Sequence, residues 1–387
     1  MLQRIQKFID SENDSFFLWG ARQTGKSTLL REAFPDALWV DLLQLDVVQR
    51  LMQSPQLFRE WVLAQPVGRI IVVDEIQKIP ELLNEIHSLM VHPGYRFVLS
   101  GSSARKINEA GINLLGGRAL RYDLLPLTWR EIPDFDLHHA LHFGLLPRHY
   151  LKQNPKKRLD AYVAHYLNEE ILYEAKVRNI PGFTQFLRKA AFSNGEFVNF
   201  TNIAADCGVS HTTVRSYFQI LEDALVGRFL PAYELRPKRR TVQGQKFYYF
   251  DVGIANTLLK RTSLLPGTEE YGAAFEHFIY QELFAYSKYL GDDCPLYFWR
   301  TVGQLEVDFL LGDHRVAIEV KSTDRVQSKH LRGLKAFADE FDTPNLLLVS
   351  RDPIERKVGD IHVLPWWIFL QRLWSGDYRP VGPLPRG

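Results

Sequence analysis

The stretch Phe16-Phe17-Leu18-Trp19-Gly20-Ala21-Arg22-Gln23-Thr24-Gly25-Lys26-Ser27-Thr28 decides how the first third of the chain is read. Four apolar residues in a row read as a buried strand. The pattern Gly-x-x-x-x-Gly-Lys-Ser that follows opens a helical stretch running to about Pro35. Strand, glycine-rich loop and helix in that order turn backbone N–H groups and a helix N-terminus toward an anion, as a phosphate-binding loop requires. Gly20 and Gly25 let the backbone fold round phosphates, Lys26 is placed to bridge the outer ones, and the Ser27 hydroxyl suits Mg2+. Gly20, Ala21, Arg22, Gln23, Thr24, Gly25, Lys26, Ser27 and Thr28 are therefore the expected nucleotide-binding residues, with ATP and Mg2+ as ligands.

Outward from the loop, the apolar runs Leu38-Trp39-Val40, Ile70-Ile71-Val72-Val73 and Phe97-Val98-Leu99 alternate with helical stretches as far as about Arg130. That is the order of a parallel α/β sheet covered on both faces. The second run ends in Asp74-Glu75, two carboxylates at the sheet edge where open α/β folds bind ligands. Asp74 is expected to hold Mg2+, directly or through water. Glu75 is expected to act as general base, or to orient water for attack on the γ-phosphate. The third run ends in Ser100-Gly101-Ser102-Ser103, where Ser102 either senses that phosphate or caps a helix.

From Glu131 to about Lys189, apolar residues such as Tyr162, Tyr166, Leu167 and Ile171 fall at helical spacing. Ile203 to Ser210 reads as a short helix ended by a glycine turn, after which Ser210 caps a second helix from His211 to Leu221, a helix-turn-helix pattern. The second helix is expected to expose His211, Thr212, Arg215 and Gln219 and to bury Val214, Phe218 and Leu221. Arg236-Pro237-Lys238-Arg239-Arg240 and Lys246 then supply five basic residues ahead of the strand Phe247-Tyr248-Tyr249-Phe250, a wing suited to nucleic-acid phosphates. Winged helices in ATPases also serve as lids or protein contacts, so both uses stay open.

Near the C-terminus, Gln304 to Leu311 and Val316 to Lys321 alternate with period two around a turn at Gly312-Asp313, which puts Glu319 and Lys321 on one face of a hairpin. A helix around Glu276 precedes them, and a helix and the strand Leu346-Leu347-Leu348-Val349 follow.

With these motifs in place the chain resembles the AAA+ P-loop ATPases, in particular a bacterial and archaeal family with a C-terminal domain related to restriction endonucleases. The resemblance rests on Gly20 to Thr28, Asp74-Glu75-Ile76-Gln77, Ser100-Gly101-Ser102-Ser103, Leu115-Gly116-Gly117-Arg118 and Phe250-Asp251-Val252-Gly253. It implies an ATPase core over 1–130, a helical lid or linker over 131–190, a winged helix-turn-helix over 191–262 and a restriction-endonuclease-like α/β domain over 263–387. Arg118 becomes a candidate arginine finger, a role that demands a homo-oligomer; the alternative is a surface pair made by Arg118 or Arg121. In the nuclease-like domain the resemblance makes Asp308, Glu319 and Lys321 catalytic. Glu276 joins Asp308 and Glu319 around Mg2+ or Mn2+. The alternative is a set of structural ion pairs, Lys321 with Glu319 or Asp308.

Lys and Arg number 47 against 45 Asp and Glu, so the net charge of +2 creates no global field and any DNA or RNA surface has to be local. Met1 to Lys7 lacks the apolar core of a secretory signal, and no run of about 18 apolar residues suggests a membrane span. Cys207 and Cys294 are too few for a disulfide framework, and Cys207 reads as a buried small residue. A cytoplasmic protein without a membrane partner is expected. His138, His139 and His142 read as a solvated helix face, and Trp366, Trp367, Phe369 and Trp374 as a helix packed on the C-terminal sheet. The function expected is MgATP hydrolysis coupled to a nucleic-acid-handling C-terminal module. Its rival is a nucleotide-dependent switch or scaffold whose C-terminal domain is inactive and binds protein.

Overall fold

The apolar runs of the first third form five strands, β1 (Ser15–Trp19), β2 (Leu38–Asp41), β3 (Ile70–Asp74), β4 (Arg96–Gly101) and β5 (Ala119–Asp123), in a computed structural model that describes residues 2–8, 14–91, 94–105, 115–171, 177–234, 244–289 and 294–379. They lie in the order β2-β3-β4-β1-β5 with every neighbouring pair parallel. Side chains alternate between the two faces. Phe17, Trp19, Ile71, Val73, Phe97 and Leu99 enter one core, whereas Phe16, Leu18, Val72 and Val98 enter the other. Burial on both faces explains why these strands read as continuous apolar runs. Because β4 is inserted between β1 and β3, the loop after β1 and the carboxylates after β3 flank the serines after β4 at one sheet edge.

The stretch after β5 holds short helices, Leu137–Phe143, Pro147–Tyr150 and Pro155–Ala161, the last continuing in a π-wound segment over Tyr162–Glu170. Helices Ile180–Phe192, Phe200–Cys207 and His211–Asp223 come next, followed by the antiparallel pair β6 (Gly227–Pro231) and β7 (Gln245–Tyr249). Gly208, at φ 63, ends the middle helix, and Ser210 Oγ accepts from Thr213 N at 3.1 Å to start the next. Cys207 is buried in the core of these helices.

The remainder is built on the 21-residue helix Glu269–Tyr289 and six strands, β8 (Leu296–Arg300), β9 (Glu306–Leu311), β10 (Val316–Lys321), β11 (Asn345–Ser350), β12 (Arg356–Val358) and β13 (Ile361–Pro365). Their order is β12-β13-β11-β10-β9-β8, parallel at β10–β11 and β11–β13 and antiparallel elsewhere. The loop between β9 and β10, residues 312–315, carries Gly312 and Asp313 at φ 62 and φ 60, left-handed positions suited to glycine and aspartate. Edge strand β8 is met by the chain leaving β6: Ala232 bridges Phe298, and Tyr233 N donates to Phe298 O at 2.8 Å. In the terminal helix Trp366–Ser375, Phe369 and Trp374 are buried as expected, whereas Trp367 is 37% exposed, because it lies on the face turned from the core. Among the described residues, no helix is long and apolar enough to cross a membrane.

The helical stretch 131–190 does not pack as one body. Ile132, Ala140, Leu141 and Leu145 share a core with helix Glu269–Tyr289, whereas Leu146, Leu159, Tyr162 and Tyr166 share one with Phe183, Phe218 and Phe250. The seam between Leu145 and Leu146 is pinned by Asp251. Its Oδ1 accepts from Gly253 N at 3.0 Å and Ile254 N at 3.3 Å, capping helix Val252–Leu258, while Oδ2 accepts from Leu145 N at 2.7 Å. A Cβ at Gly144 would strike the Asp251 carboxylate, and one at Gly253 would strike the Phe143 backbone. The run Phe250-Asp251-Val252-Gly253 is thus a weld between segments more than a hundred residues apart. Asp251→Ala removes a cap and leaves Leu145 N buried without its acceptor. It should lower the unfolding free energy by roughly 1–3 kcal/mol, read as a fall in the urea midpoint at constant slope; a change under about 0.5 kcal/mol would refute the weld.

Candidate nucleotide site and carboxylate cluster

The loop after β1 is shaped by contacts that only glycine allows. Gly20 N donates to Gly101 O at 3.2 Å, and a Cβ at Gly20 would strike Leu124 O. Gln23 and Gly25 take positive φ, 67 and 99, and helix α1 (Lys26–Ala33) begins directly after them. Among the described residues no side chain caps α1, so its first amides remain available to an anion, which is the condition a phosphate requires. Lys26 is buried, and its Nζ donates to Gly20 O at 2.7 Å and Ala21 O at 3.4 Å. Burial pulls its pKa down, opposed by the charges of Glu75 and Asp74 and reinforced by Arg22. Ser27 is half-buried in the first turn, while Thr28 is exposed there.

At the ends of β3 and β4, five side chains, Asp74, Glu75, Gln77, Ser100 and Ser102, are joined by hydrogen bonds. The Ser100 hydroxyl donates to Asp74 Oδ1 and also accepts from Glu75 N at 3.3 Å. Ser102 Oγ donates to Glu75 Oε2 at 2.8 Å, and Gln77 Nε2 donates both to that oxygen and to Ser102 Oγ, the latter at 2.9 Å. Glu75 adopts φ 62, a left-handed conformation that costs an ordinary residue on the order of 1 kcal/mol or more. The surrounding hydrogen bonds hold it there. Sequence reasoning assigned no role to Ser100 or Gln77; both lie inside quoted motifs, but their alternation toward the carboxylates depends on the strand register. Arg118 is exposed, with NH1 3.1 Å from His87 Nε2.

The loop is gripped from outside the sheet as well. Arg4, which the sequence did not single out, donates from NH1 to Thr24 O at 2.7 Å, from NH2 to Leu125 O at 2.6 Å, and pairs through Nε with the buried Glu131 at 2.9 Å. Tyr162 OH donates to Arg22 O at 3.3 Å, and the Arg22 guanidinium lies 5.4 Å from the Tyr166 ring centre. His149 packs edge-on against Tyr162, fully buried, with neither ring nitrogen hydrogen-bonded among the described residues. Two residues beyond Ser102, Ala104 N donates to Asp223 O at 2.9 Å, and Arg105 pairs with Asp223 at 3.5 Å. This joins the β4 edge to the end of helix His211–Asp223. That helix exposes His211, Thr212, Arg215 and Gln219 and buries Val214, Phe218 and Leu221, as the sequence pattern required.

The C-terminal carboxylates are arranged differently from expectation. Glu319 Oε1 lies 2.7 Å and Asp308 Oδ2 3.6 Å from Lys321 Nζ, and Asp308 Oδ2 also accepts from Val320 N. Lys246, read from sequence as part of a phosphate-gripping wing, is buried instead. Its Nζ lies 2.6 Å from Glu306 Oε1 and 3.6 Å from Glu276 Oε1. The reason is register: β7 pairs with β6 and turns Lys246 toward the C-terminal sheet, where Tyr248 OH follows it to Glu276 Oε1 at 2.8 Å. Residues 235–243, which carry Arg236 to Arg240, lie outside the described residues. Burial pushes Glu319 up to about 8 and Glu276 up to about 7, against the opposing pull of Lys321 and Lys246 respectively. Among the described residues, no three acidic, histidine or cysteine side chains converge to hold a metal ion. The expected ligand set Glu276, Asp308 and Glu319 is therefore not assembled in this arrangement, because two ammonium groups stand among its oxygens. Of the three histidines on helix Leu137–Phe143, His138 stacks on His142 and meets Leu264 O through Nε2 at 3.2 Å, while His139 packs against Phe143 and edge-on against Tyr150.

A glycine-rich loop between β1 and α1, with a carboxylate pair two strands away across β4, defines a P-loop nucleotide-binding domain. Residues 12–133 match the family model of an AAA domain, residues 134–265 that of a domain of unknown function, DUF8612, and residues 271–369 that of another, DUF4143. An uncharacterized protein of Mycobacterium tuberculosis is 28% identical over 322 residues, covering 79% of this chain and 70% of its own. An uncharacterized protein of Haemophilus influenzae is 21% identical over 312 residues, covering 72% and 77%. Among solved structures, the Orc1 protein of Aeropyrum pernix in complex with DNA is similar over 64% of this chain and 87% of that one, at 13% identity and a TM-score of 0.26.

Burial holds His149 neutral, at about 4, helped by the charges of Arg158 and Arg148. In the unfolded chain its pKa returns to the ordinary value near 6.5, so the unfolded state takes up the proton first as pH falls. Stability should therefore drop between about pH 6.5 and 4, and His149→Phe should flatten that drop in urea unfolding at pH 4.5, 5.5 and 7. An unchanged pH profile in the variant would show that His149 contributes nothing to it.

Proposed function

We propose that this chain hydrolyses MgATP at the P-loop and passes its nucleotide state to a nucleic-acid-binding C-terminal half. The observation that carries this reading is the geometry of the loop after β1: it is shaped by Gly20 and Gly25, it leads into α1 with no side-chain cap among the described residues, and it holds the buried Lys26 ammonium against its own carbonyls. Gly20 to Thr28 would cradle the phosphates, and Mg2+ held by Ser27 and Asp74 would neutralise charge on the outer two. Lys26 exchanges the carbonyls of Gly20 and Ala21 for phosphate oxygens. Ser100 fixes Asp74. Glu75, with Oε2 held by Ser102 and Gln77, presents Oε1 to orient the attacking water, while Ser102 reports phosphate occupancy through Ala104 to Asp223. Arg118 would complete a neighbouring site only if the chain self-associates.

In this reading helix His211–Asp223 is the recognition helix of a winged helix, with Arg215 as its fixed charge, and the C-terminal sheet is a restriction-endonuclease-like fold. A second reading, a nucleotide-dependent switch whose C-terminal domain binds protein, is favoured by one observation: Lys246 and Lys321 already neutralise the carboxylates that cleavage would need.

Lys26→Ala should lower kcat/KM for ATP by roughly 100-fold or more. Glu75→Gln should lower kcat by about 10²–10⁴-fold with little change in nucleotide affinity, measured by phosphate release and nucleotide titration. Wild-type turnover in the Glu75 variant would remove that residue from the mechanism. Binding to short duplexes should weaken steeply with salt, and Arg215→Ala should reduce the slope of log K against log salt by about one. A duplex affinity that is absent, or indifferent to salt, would favour the switch.

A further inference from the structure

We propose that the cavity bounded by helices Leu137–Phe143, Pro155–Ala161 and Val252–Leu258 binds a small phosphate ester with a planar body, of the size of a nucleoside monophosphate, at a site separate from the P-loop. Its volume is about 330 Å3, within the range of roughly 300–1,000 Å3 in which small-molecule sites fall. None of its lining residues belongs to the P-loop or to the C-terminal carboxylates.

Charge is the first argument. Lys156, in the first turn of helix Pro155–Ala161, and Lys260 and Arg261, just past helix Val252–Leu258, all line the cavity. Among the described residues, none of the three has a carboxylate within ion-pairing distance. Asp160 is on the wall, and the charge of Glu270 acts on Arg261 from farther off. Three fixed positive charges against these two acids leave the cavity net positive, which favours an anion. His142 on the same wall adds no charge, because burial and the fields of His138, His139 and Lys156 push its pKa down.

The cations are also held in place. Arg261 NH1 donates to Asn256 Oδ1 at 3.0 Å, and the buried Asn256 amide donates in turn to Leu141 O at 2.8 Å. The rest of the guanidinium fork has no partner among the described residues, and that fork matches phosphate oxygens. Lys260 takes φ 55, a left-handed conformation that ordinary residues avoid. It is kept there by Lys260 N donating to Thr257 O and Arg261 N to Asn256 O, both at 3.0 Å, which folds the chain back over the last turn of the helix. Two helices end at this cavity, and free carbonyls at their ends would repel an anion. These carbonyls are occupied: Ala140 O accepts from Gly144 N, Leu141 O from Asn256, and Asn256 O and Thr257 O from the two amides just named.

The remaining wall chooses the body of the ligand. Leu159 is buried and Phe143 half-buried, with the Phe143 ring 4.5 Å from that of His142. An aromatic face beside fixed cations suits a flat ring that carries a phosphate. The backbone of a long nucleic acid would use the cations and leave this apolar wall empty, so the small ester is the better fit.

The test is calorimetric titration of AMP into the full chain carrying Lys26→Ala, which disables the P-loop phosphate site, and into the same protein with Lys156→Glu and Lys260→Glu added. Both of those lysines are exposed, and urea midpoints establish that each protein is folded. AMP should bind the first protein. Adenosine should bind it at least about tenfold more weakly, and the two charge reversals should weaken AMP by at least about tenfold. Equal AMP affinity with and without the reversals, equal affinity for AMP and adenosine, or no AMP binding by the first protein would each overturn the site, and none of these bears on ATP hydrolysis by the wild type. Binding of a short DNA duplex that needs Lys156 and Lys260, by protein that ignores AMP, would assign the cavity to nucleic-acid phosphates and overturn the small ligand. Should the alanine disturb folding, Lys26→Met takes its place with the same outcomes.

Discussion

A buried ammonium has to be balanced by charge or hydrogen bonds, because the loss of its water is otherwise prohibitive. Among the described residues that demand is met at Lys26 and at Lys246, and the two solutions organise what surrounds them. Lys26 is held by carbonyls of its own loop and by the field of Asp74 and Glu75. Lys246 is held by Glu306 and Glu276 of a different domain. The first arrangement is provisional in form: backbone carbonyls are weak partners for a cation, and they would yield readily to phosphate. The second is made of ion pairs and ties a hairpin to a sheet.

Between these two ammonium groups runs a short physical path. Ser102 touches Glu75, Ala104 two residues later binds the carbonyl of Asp223, and the chain leaves Asp223 directly into β6, whose partner β7 carries Lys246. Few loops intervene. Helix and hairpin have little internal freedom, so a displacement at Ser102 has few places to be absorbed. On the other side, Arg4 and Tyr162 fasten the phosphate loop to Glu131 and to the helical segment, which keeps the loop in one frame with both cores.

What could be read in the sequence was whatever is encoded locally. The P-loop, the Asp74-Glu75 edge and the exposed face of helix His211–Asp223 depend on periods of two and 3.6 and on single capping residues such as Ser210. Burial followed those patterns closely. What escaped was set by contacts between distant segments. Lys246 looked like one more basic residue of a wing, since nothing nearby in sequence says that Glu276 and Glu306 await it. Arg4, twenty residues before Thr24, has no motif at all. The split of 131–190 between two cores follows from Asp251, whose bond to Leu145 spans 106 positions. Even the Glu-x-Lys pattern on β10 was correctly placed on one face, yet its chemical state depends on acids from other elements, Asp308 of β9 and Glu276 of helix Glu269–Tyr289.

The bridge from Ala232 to Phe298 at the edge of β8 carries a consequence for ancestry. An uncovered strand edge invites pairing with other chains, and here the cover is supplied by the segment leaving β6. A gene fragment encoding only the six-stranded sheet would yield a sticky product, so the hairpin and the sheet would be inherited as a pair. Recombination between them would be selected against, and a lineage could exchange its phosphate loop domain more easily than it could separate the hairpin from the sheet it shields.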